Sequence, residues 1–124
     1  MPKLKIVGLV EKVKIKGKKS ATTYALFDTG ARYTSVDIEL AVKTQLGPVI
    51  RSSKIRAASK KGPTKRPVVE AQIEVMGKKF RLGVNMQDRS HMSFPVIIGR
   101  DIISGNFIVN ASKNQQLFKK YTTE

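Results

Sequence analysis

Hydrophobic and polar residues alternate over short stretches of this chain, which is the pattern of half-buried β-strands. The alternation runs from Val68 to Val75, stops at Met76-Gly77-Lys78, and resumes with Phe80, Leu82 and Val84. Two alternating runs around a short glycine-containing turn predict a β-hairpin. Further strands are predicted over the ranges 3–15, 22–27, 94–98, 107–109 and 116–118.

Two short segments have a helical pattern instead. The first is 38–46, which Asp37 is expected to cap and which Gly47 and Pro48 are expected to end. The side chains predicted to face inward from it are Ile38, Ala41, Val42 and Leu46. The second is 99–104, so the elements together predict a mostly β fold with one or two short helices.

The composition indicates one packed domain. The chain has 124 residues, of which 40% are hydrophobic, so we expect a single domain over residues 1–124 with its own core. No apolar run is long enough to span a membrane, and the N-terminal segment lacks the apolar stretch of a secretory signal. We therefore expect a cytoplasmic protein with no membrane contact.

The chain contains no Cys, and His91 is its only His. Disulfides are excluded, and a zinc site built from Cys and His is nearly excluded. We expect neither a metal nor any other cofactor. A Ser-His-Asp triad would have to use this one His.

The charge is strongly basic and unevenly distributed. Lys and Arg number 24 against 9 Asp and Glu, which gives a formal net charge of +15. No acidic residue lies between Glu39 and Glu70, whereas that segment holds eight basic residues. With Gly62, Pro63 and Pro67 it is typical of an exposed loop or hairpin tip. Such a charge predicts an acidic partner, and also nonspecific contact with nucleic acid.

Two segments carry candidate chemistry. The apolar run from Ala25 leads into Asp28-Thr29-Gly30-Ala31, and about seventy residues later Pro95 leads into Val96-Ile97-Ile98-Gly99-Arg100. Asp-Thr-Gly alone is equally consistent with a capped turn. An apolar strand ending in Asp-Thr-Gly-Ala, followed by an apolar-apolar-Gly segment, is far more specific.

On these segments the chain resembles the retropepsin-like aspartic peptidases, over roughly Leu9 to Phe118. It looks most similar to a small cytoplasmic group associated with ATP-grasp glutamate ligases. That group shows Asp-Thr-Gly-Ala-Arg, as 28–32 does here, and an Asp-Arg, Met and Pro cluster, as 88–99 does. Members have been labelled zinc proteases, a label this composition does not support. The resemblance implies an acid-protease half-barrel that functions as a homodimer.

The resemblance makes Asp28 the catalytic residue. Two adjacent carboxylates share a proton, so that one activates a water as a base and the other acts as an acid. This chain has one Asp-Thr-Gly, so the dyad requires Asp28 from two copies. The resemblance assigns active-site-loop or supporting roles to Thr29, Gly30, Ala31, Ile97, Ile98, Gly99 and Arg100.

The charged neighbours of these motifs have ordinary interpretations. Where retroviral enzymes place an acid that meets the helix arginine, this chain has Arg32, so that contact with Arg100 cannot form. Asp101 is a candidate acceptor for Arg32. Asp88 is adjacent to Arg89 in sequence, and Asp101 is adjacent to Arg100. Each of these two pairs is expected to form a local ion pair.

The basic segment coincides with the flap that the resemblance implies, about residues 55–68. The expected substrate-binding residues are Arg32 near the catalytic loop and, in the flap, Lys60, Lys61, Lys65 and Arg66. A cleft lined by these cations would favour an acidic, glutamate-rich peptide or protein substrate.

The alternative is a catalytically silent retropepsin-like module that binds acidic protein or RNA. A phosphate backbone would suit the charge. Aromatic residues are only 6% of the chain, however, and no nucleic-acid-binding signature is present. RNA binding also gives no reason for Asp-Thr-Gly-Ala, so this sequence favours catalysis.

Overall fold

The computed structural model describes residues 3–55 and 64–122, and this part of the chain is mostly β. Its strands are β1 Lys5–Val7, β2 Val10–Lys16, β3 Ser20–Phe27, β4 Ser35–Asp37, β5 Val49–Ile55, β6 Thr64–Val75, β7 Lys78–Gln87, β8 Val96–Ile98 and β9 Phe107–Val109. Its helices are α1 Ile38–Lys43, α2 Arg100–Ile103 and α3 Gln115–Thr122. The mostly β prediction is confirmed.

A seven-stranded sheet forms the body of the domain. Its strands follow the order β2-β3-β8-β4-β7-β6-β5, and β2 also pairs with β6, so the sheet curls into a barrel with β5 outside the closure. Strands β1 and β9 form a separate parallel pair. Phe107 on β9 packs against Phe27 and Phe80, with ring centroids 6.3 and 5.9 Å apart, and so joins this pair to the barrel.

The alternation read from the sequence sorts side chains between the core and the surface. On β2, Val13 and Ile15 are buried, while Lys12, Lys14 and Lys16 are exposed. The same alternation on β6 buries four apolar side chains, those of Val69, Ala71, Ile73 and Val75. The period of two along each strand therefore builds an apolar interior and leaves a basic outer face.

The predicted hairpin at 68–84 is confirmed, with β6 and β7 antiparallel and Val75 paired with Lys78. Met76 and Gly77 both have positive φ, 50° and 82°, as a tight turn between twisted strands requires. The arms of the expected flap are also present, because β5 pairs antiparallel with β6 from Ile55 opposite Thr64. Residues 56–63, which include the predicted flap tip, lie outside the described residues.

The strand predicted at 116–118 is wrong, because this segment lies in helix α3. Asn114 has a φ of 60° and its carbonyl accepts from the backbone N–H groups of Leu117 and Phe118. These bonds start a helix, whereas the apolar pair Leu117-Phe118 suggested an extended chain. Within the described residues no helix is both long and apolar enough to cross a membrane.

Helix α1 follows the prediction at its start and departs from it on its faces. Ala41 is buried as predicted, and Leu46 is partly buried. Ile38 and Val42, predicted to face inward, are exposed. The helix has fewer than two turns, and it packs the small Ala41 and the buried Thr44 against the barrel. Residues 38 and 42 are one turn apart and share the outward face.

Asp37 caps α1 as predicted and also anchors a distant loop. One carboxylate oxygen accepts from the Glu39 N–H at 3.2 Å, and the other accepts from the buried Arg89 N–H at 2.8 Å. The carboxylate therefore ties the start of α1 to the connection between β7 and β8.

We predict that Asp37→Ala destabilises the domain by about 2 kcal/mol, because it removes a helix cap and leaves a buried N–H unpaired. Urea unfolding measures the loss. The matched control is Asp88→Ala, since Asp88 is exposed and accepts from Ser90, whose hydrogen bonds hold the pKa of Asp88 below its ordinary value. Equal losses for the two variants would contradict the anchoring role of Asp37.

Candidate active site

The two sequence motifs meet where β3 lies beside β8. The strands run parallel, with Leu26 opposite Ile97 and Phe27 opposite Ile98. The N–H of Asp28, the first residue after β3, donates to the Ile98 carbonyl at 2.9 Å. Ile97 and Ile98 are buried beneath this point, so the catalytic candidate leaves the sheet directly above an apolar support.

The Asp-Thr-Gly segment folds back on its own carboxylate. The Gly30 N–H donates to Asp28 Oδ1 at 2.8 Å, and the Ala31 N–H donates to the Asp28 carbonyl at 3.1 Å. Asp28 is half-buried, whereas Thr29 and Gly30 are exposed. The turn therefore fixes the orientation of the carboxylate and leaves the loop open to a ligand or a second chain.

The start of α2 holds this loop from below. The Arg100 N–H donates to the Ala31 carbonyl at 2.8 Å, and Arg100 Nη1 donates to the Thr29 carbonyl at 3.0 Å. A Cβ at Gly99 would lie 2.6 Å from the backbone carbon of Tyr33. Only glycine permits this close approach of the two backbones.

Thr34 and Asp101 form a second connection that the sequence did not reveal. Thr34 is fully buried, its N–H and hydroxyl donate to the two Asp101 carboxylate oxygens at 3.0 and 2.6 Å, and its hydroxyl accepts from the Gly99 N–H at 3.1 Å. The expected pairing of Asp101 with Arg100 or Arg32 is absent among the described residues. Arg32 instead lies over the Tyr33 ring, 5.3 Å from its centre.

The Asp88–Arg89 ion pair is likewise absent from the described ion pairs. Arg89 is buried, and its Nε donates to the Phe94 carbonyl at 2.8 Å. Burial lowers the pKa of Arg89, and the charge of Arg66 lowers it further, whereas Asp37 and Asp28 raise it. These couplings put Arg89 within electrostatic range of both Asp28 and the flap arm.

The predicted substrate-binding residues fall into two groups. Arg66 is partly buried at the base of the flap arm, where its guanidinium donates to the Gln87 side chain. Lys60, Lys61 and the side chain of Lys65 lie outside the described residues. Beside Arg32 and its partner Tyr33 is a recess of about 100 Å³, lined by Tyr33, Arg51, Val68, Gly83 and Asn85.

The other aspartates are engaged elsewhere. Asp37 accepts from two backbone N–H groups, Asp101 accepts from Thr34, and Asp88 accepts from Ser90. Within the part of the chain that the structure describes, no group of three His, Cys, Asp or Glu side chains could hold a metal ion. Asp28 is therefore the aspartate that lies directly at the junction of β3 and β8, in an exposed loop held by α2.

Comparison with solved structures shows that the fold is similar to that of retroviral proteases. EIAV protease, in complex with the inhibitor HBY-793, is similar with a TM-score of 0.63 at 19% identity, over 82% of this chain and 91% of that one. Simian foamy virus (mac) protease is similar with a TM-score of 0.52 at 19% identity, over 73% and 86%.

A bacterial protein is similar as well. Lpg0085 from Legionella pneumophila, of unknown function (DUF785), has a TM-score of 0.60 at 25% identity, over 86% of this chain and 93% of that one. No curated protein matches the sequence.

The match to a protein family starts after the Asp28 loop. Residues 39–120 match the RimB-like model, described as the retropepsin-like aspartic endopeptidase RimB. The segment holds the flap arms, β8 and α2, and therefore the scaffold on which the Asp28 loop rests. By this match the chain belongs to the RimB-like family of retropepsin-like aspartic endopeptidases.

Proposed function

We propose that this protein is an aspartic endopeptidase whose single domain supplies one Asp28 to a homodimeric dyad. The observation that carries the proposal is the Gly30 N–H to Asp28 Oδ1 bond of 2.8 Å, in an exposed loop held by Arg100. A hydrogen bond of this kind fixes a carboxylate without neutralising it. The loop therefore has the preorganisation that a catalytic acid or base requires.

The chemistry follows from two such carboxylates sharing one proton. The ionised Asp28 takes a proton from a water, whose oxygen attacks the scissile carbonyl carbon, while the protonated Asp28 donates to the carbonyl oxygen. The tetrahedral intermediate then collapses as the Asp28 that took the water proton donates it to the leaving nitrogen, while the other Asp28, now ionised, takes a proton from a hydroxyl of the intermediate. No metal or covalent intermediate is needed, and the proton count balances over the cycle.

The second carboxylate comes from a second copy in this proposal. Asp37 and Asp101 accept from the buried residues Arg89 and Thr34, whose donors would be left unpaired if either carboxylate moved, and Asp88 accepts from Ser90 in an exposed turn. Thr29 and Gly30 are exposed beside Asp28, where a partner loop and a substrate backbone would contact them. Ala31, Ile97, Ile98, Gly99 and Arg100 act as supports for the loop.

We propose an acidic, glutamate-rich peptide as the substrate. The charge of Arg89 interacts with those of Asp28 and Arg66, and Arg32 is exposed over Tyr33. Lys60, Lys61 and Lys65 add charge from the flap segment. The resemblance to the cytoplasmic group associated with glutamate ligases supports both this substrate class and a cytoplasmic location.

Asp28→Asn is predicted to abolish peptide cleavage. Wild-type and variant chains refolded together in equal amounts should retain about a quarter of the wild-type activity, because only dimers with two intact carboxylates are active. Cleavage of an acidic peptide library, followed by mass spectrometry, measures both quantities. Asp88→Asn is the matched control.

Half of the activity in the mixture would indicate independent chains and contradict the shared dyad. No cleavage by the wild-type protein, combined with binding of acidic peptide or RNA, would favour the silent binding module.

Thr34→Val is predicted to reduce cleavage at least tenfold and stability by about 2 kcal/mol, because it leaves Asp101 Oδ1 and the Gly99 N–H unpaired beneath the loop. Thr34→Ser, which keeps the hydroxyl, should restore most of the activity. The matched control is Thr44→Val: Thr44 is also fully buried, but its hydroxyl donates to the Leu40 carbonyl. Equal loss of cleavage in both valine variants would contradict a positioning role for Thr34.

Neutralising Lys60, Lys61, Lys65 and Arg66 to Gln is predicted to lower kcat/KM for acidic peptides about tenfold and to leave uncharged peptides unaffected. The reason is loss of electrostatic attraction in the cleft, so the effect should shrink at high salt. An equal fall for acidic and uncharged peptides, or a wild-type preference for basic peptides, would contradict the charge-based selectivity.

A further inference from the structure

A large recess in the described part of the chain lies away from the Asp28 loop. It has a volume of about 690 Å³ and sits at the turn between β2 and β3. Strand β3 begins at this turn and ends beside Asp28, and its eight residues span roughly 20 Å. The recess is therefore a separate feature from the candidate cleft.

Backbone contacts hold the walls of the recess together, because the β2–β3 turn contacts the loop after α1 and that loop contacts β6. The N–H of Lys19 donates to the Thr44 carbonyl at 3.1 Å, and the Gly47 N–H donates to the Glu70 carbonyl at 3.1 Å. A Cβ at Gly17 would lie 2.4 Å from the Gln45 carbonyl oxygen, so the loops pack without space for a side chain. Because these walls are fixed, a ligand would not have to order them.

The lining is basic and continues onto the outer face of the sheet. Lys16, Lys18 and Arg81 line the recess, where Glu70 is paired with Arg81 at 3.3 Å. A smaller adjoining recess shares Lys16 and Gln72 and adds Lys14, Glu74 and Lys79. We call the two together the distal groove; it contains five basic and two acidic side chains.

The spacing of the charges suits an extended peptide. Lys14 and Lys16 point outward from alternate positions of β2, about 7 Å apart, which is also the spacing of alternate side chains in an extended peptide. The amides of Gln45 and Gln72 can pair with a peptide backbone.

A nucleic acid fits the distal groove less well. None of the residues lining either recess is aromatic, so bases have no ring to stack on there. Glu70 and Glu74 lie among the cations, and a phosphate backbone carries a charge at every nucleotide. A peptide can place neutral residues opposite these carboxylates.

We infer that the distal groove is a second binding site for an acidic, extended segment of the protein substrate, remote from the bond to be cut. The inference rests on the proposed function, because the bound segment is part of a substrate only if the protein is a peptidase. A dimer would have one cleft and two distal grooves, so it would hold a substrate at more than one point and raise its affinity through linkage.

The test uses Asp28→Asn protein, so that binding is measured without cleavage. An oligoglutamate peptide is titrated into the ¹⁵N-labelled chain, and the amide signals of Gly17, Gln45 and Gly47 are followed. These signals should shift on titration. Replacing Lys14, Lys16 and Lys18 with Gln should weaken the affinity read from them about tenfold, because three attractive charges are lost.

The control replaces three exposed lysines outside the groove, Lys3, Lys43 and Lys119, with Gln and loses the same charge. It should bind as the parent does. Absence of shifts at the groove, equal weakening in both triple variants, or tighter binding of oligouridylate than of oligoglutamate at the same salt would overturn the inference. Because this readout is independent of cleavage, a groove that binds in a protein without peptidase activity would refute the proposed function alone.

Discussion

The contact between the backbone around Gly99 and the residues that follow Asp28 controls the geometry of the candidate site. The parallel pairing of β3 with β8 places these segments side by side, and the absent Cβ of Gly99 allows them to touch. Arg100 and the buried Thr34 then fix the loop with hydrogen bonds from two directions. A side chain at residue 99 would separate the loop from its support, and every distance at Asp28 depends on that support.

Local patterns in the sequence predicted the elements that local interactions determine. The β6–β7 hairpin and the Asp37 cap follow from side-chain period, turn residues and capping chemistry, all within a few positions. Helix α3 was missed because the pair Leu117-Phe118 suits a strand or a helix equally well. The turn at Asn114, whose carbonyl accepts from both N–H groups, makes this segment helical. The Thr34–Asp101 bond joins residues 67 positions apart, so no periodicity could indicate it.

The basic side chains behind the net charge of +15 include two kinds of structural setting with different consequences. Arg89 and Arg66 are held by specific hydrogen bonds, so their positions are fixed by the fold. On the outer face, β2 presents lysines at alternate positions simply because its other side chains fill the core. The composition alone does not distinguish the arginines held by hydrogen bonds from the outward-facing lysines, because each adds one positive charge to the net charge.

The central claim is that two Asp28 carboxylates from two chains act on one water, and a crystal structure with a hydroxyl-containing transition-state analogue tests it most directly. We expect a twofold dimer in which both Asp28 side chains contact the same inhibitor hydroxyl at roughly 2.6–3.2 Å. An inhibitor held by a single Asp28, or a dimer whose Asp28 side chains face away from each other, would contradict it.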